Sequence, residues 1–145
     1  AHRRRLDCRD RRRRMGDNAN LLEGGRSVIH MVLAGPVVPY TRMTQRSKWT
    51  DRSQRYLASQ QALALQMRAQ MAEHGWTMYP ARLPLRLRVV FGWTVHTHDL
   101  SNLLKAVEDA ANKIVWADDR WIDSITVERE TWGNLGLELW VEAMQ

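Results

Sequence analysis

Carboxylate side chains stand on both sides of a predicted helix in the last third of the chain. Asp99 immediately precedes this helix, and Asp118 and Asp119 follow shortly after its end. Inside the helix, polar side chains recur at helical spacing on the side opposite a stripe of Leu, Val and Ile, so they share one face. This polar face consists of Asn102, Lys105, Asp109 and Asn112.

Two interpretations of these acids are open. Positions 95–124 hold six acids and only three bases, an excess that is costly unless water or a bound cation neutralises it. That excess favours a metal site. Against it, Asp99 or Ser101 is a good helix N-cap, and Asp118 and Asp119 are residue types common in turns. On residue types alone, caps and turns are the better-supported interpretation.

The order of residues through this segment changes that balance. The stretch DLSNLLKAVEDAANKIVWADDRWI carries Asp, Asn, Lys and Asp, then a helix, an aromatic residue and Asp-Asp before an apolar residue. This pattern closely resembles the signature of the RusA family of Holliday-junction endonucleases. A looser match upstream includes an opening strand, a Gly-Pro loop and a basic stretch. The matching positions are Asp99, Asn102, Lys105, Asp109, Trp116, Asp118, Asp119 and Ile122.

The resemblance implies a Mg²⁺-dependent endonuclease in which Mn²⁺ can substitute. It implies catalytic roles for Asp99, Lys105 and Asp119. Its candidate metal ligands are Asp99, Ser101, Asp109, Asp118 and Asp119. Ser101 departs from the signature, which most often has a second Asp there, and a hydroxyl adds no negative charge. Asp109 or Asp118 could supply the missing charge.

The chemistry of such a site follows from its ligands. Hard oxygen donors at an accessible site select Mg²⁺ or Mn²⁺, which keep waters and accept phosphate oxygens. A bound ion activates water and offsets charge in the transition state, and Lys105 suits the scissile phosphate. His96 and His98 could imitate a zinc pair, but without a clear third partner they fit a strand-end or DNA-contact role better.

Alternating apolar and polar residues predict four strands. A short strand at 27–35 is closed by Gly35-Pro36. The stretch LPLRLRVVFGW at 83–93 alternates apolar residues with Arg, which is typical of a half-buried strand. Two later stretches, WIDSITVERETW and LGLELWVEA, are predicted to form a hairpin around Gly133-Asn134.

Two helices complete the pattern. The first runs from Thr50 or Asp51 to about His74, where Gly75 stops it, and the second runs over about 102–115. The core stripe of the first helix is predicted to be Tyr56, Leu63, Met67 and Met71. The order β-α-β-α-β-β predicts an α+β fold with both helices on a small mixed sheet, as in the resembled family.

The length of the second helix bears on the site. A straight helix of this length spans roughly 20 Å at 1.5 Å per residue, so Asp99 and Asp119 of one chain could not share an ion. An antiparallel partner in a two-fold homodimer would bring Asp119 of one subunit beside Asp99 of the other, which suggests a composite site. The alternative is an early helix end that lets the chain double back.

Basic side chains gather around the first loop and the start of the first helix. Tyr40 and Trp49 stand among them, and Asp51 is the only acid there. These residues could be solvated charges on a loop, but beside an acidic metal site contact with DNA phosphates is the better interpretation. The aromatic rings could stack on unpaired bases or belong to the core. The DNA-binding candidates are Arg42, Arg46, Lys48, Arg52 and Arg55.

The chain as a whole fits one folded domain. It has 145 residues, of which 44% are hydrophobic. Residues 1–26 are expected to be a basic, disordered arm and lead-in, and residues 27–145 the endonuclease domain. Residues 1–14 hold 8 Arg and 2 Asp, whereas positions 15–145 hold 14 basic and 14 acidic residues. The charge excess therefore lies in the arm, where it can offer only sequence-independent attraction to phosphates.

The surroundings of the protein are expected to be cytoplasmic. A single cysteine, Cys8, cannot form an internal disulfide, which fits a reducing compartment. No apolar run is long enough for a membrane span, so no membrane association is expected.

We therefore expect a homodimeric, Mg²⁺-dependent Holliday junction resolvase of phage or prophage type that acts on DNA in recombination and repair. A four-way junction is nearly two-fold symmetric and suits a two-fold dimer with two sites. One alternative is a junction-binding protein with little cleavage, because Ser101 weakens the metal site. Another is a nuclease for flaps or other branched DNA.

Overall fold

The structure, a computed structural model, describes residues 28–92, 98–130 and 136–144. The predicted N-terminal arm, His96 and the predicted Gly133-Asn134 turn lie outside these residues. The described elements are β1 (Val28–Ala34), α1 (Asp51–His74), β2 (Leu85–Gly92), α2 (Leu100–Ala111), β3 (Ile122–Arg129) and β4 (Gly136–Ala143). A short 3₁₀ helix at Asp119–Trp121 precedes β3. The order of helices and strands is the predicted one.

The four strands form one mixed sheet in the order β1-β4-β2-β3. β4 pairs antiparallel with both β1 and β2, and β2 pairs parallel with β3. Parallel neighbours need a crossover connection, which α2 supplies between β2 and β3. The predicted α+β fold, with a small mixed sheet and two helices, is confirmed.

The predicted hairpin of β3 with β4 is wrong, because β2 lies between these strands. The turn-forming pair indicates only a local change of chain direction, whereas the order of the strands depends on how deeply each strand is buried. Leu137, Leu139 and Val141 of β4 are at most 3% exposed, which suits a central strand with a neighbour on each side. β3 has no fully buried residue and lies at the edge of the sheet.

The core lies between one face of the sheet and the two helices. Leu87, Val89 and Phe91 of β2 are fully buried there. The predicted stripe of α1 is confirmed, since its members are at most 8% exposed. The buried side of α2 consists of Leu103, Ala106, Val107, Ala110 and Ala111. The polar side of α2 is therefore left facing solvent.

The first helix begins and ends where the sequence predicts. The side chain of Thr50 accepts a hydrogen bond from the N–H of Ser53, which caps the N-terminus of α1. Gly75 takes a left-handed φ of 64° and ends the helix. Neither described helix combines the length and the apolar character that a bilayer-spanning segment requires.

Candidate active site

The exposed face of α2 carries the predicted site residues. Asn102, Lys105 and Asp109 are exposed on it, and Asp99 precedes them as the N-cap residue. Because each helical residue adds 1.5 Å, Asp99 and Asp109 lie about 15 Å apart along the axis. The face thus extends from the acid at the start of the helix to a second acid in its last turns.

The Asp99 carboxylate is not used to cap the helix. The backbone carbonyl of Asp99 accepts hydrogen bonds from the N–H groups of Asn102 and Leu103, but its side chain makes no capping hydrogen bond. The guanidinium of Arg129 donates to the carbonyl of His98 and so fixes the chain just before this residue. The exposed carboxylate of Asp99 is therefore available to a ligand.

The second helix ends at Ala111, earlier than the predicted end at Val115. Lys113 takes a left-handed φ of 69°, which reverses the chain. The backbone of Tyr79 holds the returning segment through two hydrogen bonds, from its N–H to the Val115 carbonyl (2.9 Å) and from the Ala117 N–H to its carbonyl (3.0 Å). The early helix end, which was the alternative expected from the sequence, is the one realised. Asp99 nevertheless lies about 15 Å from Asp109 along the axis of α2.

The returning chain brings Asp119 to the polar face of α2. The buried indole of Trp116 donates its Nε1–H to Asp119 Oδ1 at 2.6 Å. Burial raises the pKa of Asp119 above its ordinary value, and the charges of Asp109 and Asp118 raise it further. The Trp116 hydrogen bond and the charge of Lys105 act in the opposite direction. Asp119 therefore lies within the electrostatic reach of Lys105 and Asp109.

Glu108, which the sequence analysis did not single out, joins this group. Burial raises the pKa of Glu108, and the charge of Asp119 is the next largest cause. Lys105 Nζ lies 4.0 Å from Asp109 Oδ1, and its charge lowers the pKa of both Glu108 and Asp119. We call Glu108, Asp109 and Asp119 the acidic cluster. Neighbouring carboxylates raise the pKa of Glu108 and of Asp119, so an added cation is favoured here.

Asp118 has a different environment from its neighbour. Its Oδ1 accepts the backbone N–H of Arg120 at 3.0 Å, and its Oδ2 pairs with Arg120 Nε at 3.1 Å. The hydrogen bond from the Arg120 backbone is the main cause that lowers the pKa of Asp118, and the guanidinium adds to it. Asp118 therefore has the turn role that its residue type favours.

Two tyrosines brace the polar face of α2. The Tyr56 hydroxyl donates to Asp109 Oδ2 at 3.1 Å, and the Tyr56 side chain is almost fully buried. Burial, followed by the charge of Asp109, raises the pKa of Tyr56, so its proton is retained. Tyr40 packs edge-on against Tyr56, with ring centroids 5.8 Å apart, and Lys105 Nζ lies 4.7 Å from the Tyr40 centroid. With the Lys105–Asp109 contact, these four side chains form a closed ring.

The role of Tyr56 beyond the core was missed in the sequence. Its place in an apolar stripe predicted burial alone. The available signal was its hydroxyl, because a buried tyrosine O–H usually finds a hydrogen-bond partner.

The predicted metal ligands are only partly brought together. Asp99 and Ser101 lie at the N-terminal end of α2, whereas Asp109 and Asp119 lie nearer its C-terminal end. Within residues 28–92, 98–130 and 136–144, no three His, Cys, Asp or Glu side chains converge on a common metal position. Mg²⁺ is commonly held by one or two carboxylates, with waters and substrate phosphates completing its shell. The charge of Asp109 acts on Asp119, so these two predicted ligands share one electrostatic environment.

Two of the predicted DNA-binding residues adjoin the Asp99 end of the site. Arg52 and Arg55, in the first turns of α1, line a cavity of about 670 Å³. Asp99 and Asn102 line the same cavity from α2. The structure therefore brings these two cations to the polar face of α2.

The other predicted DNA-binding residues lie on the loop between β1 and α1. Arg42 and Arg46 are exposed there, and neither forms an ion pair with a described residue. Lys48 Nζ lies 5.3 Å from the ring centroid of Trp49, whose side chain is 75% exposed. Trp49 is thus a surface aromatic rather than a core residue.

Comparisons with known proteins bear on this site. A search among curated proteins finds no match. The family model described as Endodeoxyribonuclease RusA matches residues 35–142, which include the basic loop, both helices and the acidic cluster. Since the match covers most of the chain, the protein belongs to the RusA family and is an endodeoxyribonuclease.

Proposed function

We propose that this endonuclease resolves four-way DNA junctions by paired nicks, with Mg²⁺ at the acidic cluster and two copies of the chain in a homodimer. The observation that carries the proposal is the 4.0 Å contact of the exposed Lys105 with Asp109, with the charges of both acting on Asp119, in a chain of the RusA family. An acid whose pKa is raised by burial and by neighbouring carboxylates, beside an accessible lysine, suits a divalent ion and a phosphate.

The residues of the site would have different roles in phosphodiester hydrolysis. When bound, Mg²⁺ supplies an activated water and positive charge for the phosphoryl oxygens. Asp109 and Asp119 would hold the ion, and Lys105 would offset negative charge on the scissile phosphate. Asp99, whose carboxylate is not used for capping, would act on the same DNA strand at the cavity end of this face.

Ser101 and Asp118 have weaker parts in this proposal. Ser101 is exposed in the first turn of α2, where its hydroxyl can contribute a ligand without charge. Asp118 is paired with Arg120, and that pairing competes with direct binding of an ion. Both remain candidate ligands through water.

A homodimer would match the symmetry of the substrate. The reversal after α2 lets each chain form its own pair of Asp109 and Asp119, so that two copies carry two sites. A two-fold dimer on a nearly two-fold junction can present opposing strands to these two sites. The activity would serve recombination and repair, in the cytoplasm where bacterial or phage DNA is processed.

Cleavage of synthetic DNA of defined shape tests this function. A four-way junction, a flap and a linear duplex are each incubated with Mg²⁺, Mn²⁺ or EDTA. We expect paired nicks in the junction with either metal, no nicks in EDTA and slower cutting of the duplex. Equal cutting of the duplex would contradict the junction proposal.

Two other outcomes of the same assay select the alternatives. Preferred cutting of the flap would indicate a nuclease for flaps or branched DNA. Tight binding of the junction without nicks would indicate a binding protein, in which Ser101 in place of an acid has weakened the metal site.

A further inference from the structure

The cavity of about 670 Å³ opens beside the N-terminal end of α2. The loop after β1 forms one wall, the first turns of α1 form a second, and α2 forms a third. The lining residues that matter here are Pro39, Tyr40, Arg52, Arg55, Asp99 and Asn102. The cavity therefore adjoins the catalytic face at Asp99.

Hydrogen bonds and packing hold the loop wall in place. The N–H of Tyr40 donates to the Asn102 carbonyl at 3.1 Å, and the N–H of Val38 donates to Ser59 Oγ at 3.3 Å. Val37 packs against the hydrophobic core. The loop is thereby joined to both helices, and the cavity is formed without a ligand.

The lining suits a nucleotide. Pro39 and Tyr40 offer apolar and aromatic surface on which a base can pack. The amide of Asn102 can both donate to and accept from a base edge. Arg52 and Arg55 offer guanidinium groups to a phosphate, and neither forms an ion pair with a described residue.

Charge and size exclude simpler occupants. Asp51 and Asp99 also line the cavity and balance its two arginines, so a lone phosphate gains little net attraction. The volume lies in the range of about 300 to 1,000 Å³ typical of small-molecule sites. Stacked base pairs do not fit such a cavity. A duplex is wider than its major groove, and that groove alone is about 12 Å wide. A single nucleotide outside the stack fits both the balanced charge and the volume of the cavity.

We propose that this cavity receives one unpaired nucleotide of the DNA strand beside the scissile phosphate. The inference rests on the proposed function, since it takes the cleaved strand to pass Asp99. Extruding a nucleotide from a duplex costs unstacking and unpairing energy, and it costs least where the base is already unpaired. The cavity would therefore favour branched DNA over linear duplex.

An abasic scan of the junction tests the nucleotide site. Single abasic residues replace the nucleotides around the mapped cleavage site one at a time, and the Kd of each junction is measured in EDTA. Loss of the base that enters the cavity should weaken binding by about 5- to 100-fold, as expected for one stacked base. The neighbouring abasic positions should have little effect.

A variant cycle ties this effect to the cavity. Asn102→Ala should weaken binding of the intact junction but have little further effect on the sensitive abasic junction, because both changes remove the same contact. Arg55→Gln provides a second cavity variant, at an exposed position whose change does not disturb the core. Arg68→Gln is the control, since Arg68 is exposed farther along α1 and outside the cavity. Its effect should be the same on both junctions.

The outcomes separate the inference from the function on which it rests. Equal, small changes in Kd at every abasic position would overturn the nucleotide site. So would an abasic effect on Kd that adds to the effect of Asn102→Ala. In both cases the cleavage of junctions would still stand. A wild-type protein that neither cuts junctions nor prefers them over duplex would overturn the proposed function and this inference together.

Discussion

At the scale of single residues, hydrogen bonds and burial distinguish acids that look alike in the sequence. Asp118 and Asp119 are adjacent, yet contacts with Arg120 lower the pKa of the first while burial raises the pKa of the second. Asp99 has the residue type of a helix cap but makes no side-chain capping bond. The interpretation as caps and turns therefore describes Asp118 and does not describe Asp99.

Tyr56 offers a test of the ring that braces Asp109. Tyr56→Phe removes the hydroxyl that donates to Asp109 Oδ2 and keeps the buried aromatic ring. We expect kcat for junction cleavage to fall about 10-fold, because partners that orient a metal ligand typically matter to that extent. Single-turnover rates measure this loss, and the Kd for the junction in EDTA should not change.

Tyr79→Phe is the matched control for this variant. Tyr79 is also buried, and its hydroxyl donates to the Val141 carbonyl of β4. Each variant should lose about 1 kcal/mol of unfolding free energy with its hydrogen bond. Only Tyr56→Phe should cut slowly. Equal rate losses in both variants would show that Tyr56 stabilises the core and does not position Asp109 for cleavage.

At the scale of helices and strands, local signals predicted where elements begin, and tertiary contacts decided the rest. Both ends of α1 were predictable, because Thr50 and Gly75 act on their own helix. The end of α2 was not, because Ile114 and Val115 continue the apolar period while the backbone of Tyr79 draws the chain away. The place of β4 between β1 and β2 likewise depends on the burial of the whole sheet.

The residues of the candidate site were predictable from the sequence, but their arrangement in space was not. The residue pattern placed Asp99, Lys105, Asp109 and Asp119 on or beside one helix. It could not show that Asp119 returns to that helix, because the return depends on contacts with a residue far away in sequence.

Lys113 tests the reversal after α2. A left-handed φ of 69° costs an L-residue about 1 kcal/mol relative to Gly. Lys113→Gly should therefore keep or raise the unfolding free energy, by up to about 1 kcal/mol, whereas the β-branched Lys113→Val should lower it by about 1 to 2 kcal/mol. Urea unfolding measures both values.

The two Lys113 variants control for each other. Both lose the same hydrogen bond from the Lys113 ammonium to the Ala117 carbonyl, so their difference reports the backbone conformation. Equal stability of the two would contradict a left-handed residue at this turn.

At the scale of the whole molecule, the basic loop and the acidic cluster have to meet one DNA strand. Arg42 and Arg46 are exposed on the loop, and Arg52 and Arg55 line the cavity beside Asp99. A strand held by these cations passes the catalytic face of α2. Phosphate contacts of this kind fix the register of DNA without reading its sequence.

Salt dependence tests the contribution of the loop. Replacing Arg42 and Arg46 together by Gln should reduce the slope of log Kd against log salt by about 2 and weaken junction and duplex by a similar factor. Arg68→Gln, the same change on the far half of α1, should leave the slope unchanged. An unchanged slope in the double variant would exclude these arginines from the DNA contact.

Mixed dimers test where each site is built. Because the polar face of α2 runs from Asp99 to the acidic cluster, we expect Asp99 and Asp119 of one subunit to act on the same DNA strand, although they lie too far apart to share an ion. A heterodimer of Asp99→Asn with Asp119→Asn then has one defect in each site and should not nick a junction. Restored nicking would instead indicate a composite site. Mixing either variant with wild type supplies the control, because exchanged dimers should nick a single strand.

The central claim, that Asp109 and Asp119 hold the ion that cuts DNA, is tested most directly by the cleavage rate of Asp119→Asn as a function of Mg²⁺. Asp123→Asn, at an exposed acid of β3 outside the acidic cluster, is the control and should cut at the wild-type rate. Asp119→Asn should cut a four-way junction at least about 100-fold more slowly, because it loses a charged ligand of the catalytic ion. Its junction binding in EDTA should be unchanged or tighter, because a carboxylate that repels phosphate is gone. Near-wild-type cleavage by Asp119→Asn, with an unchanged Mg²⁺ dependence, would contradict the claim.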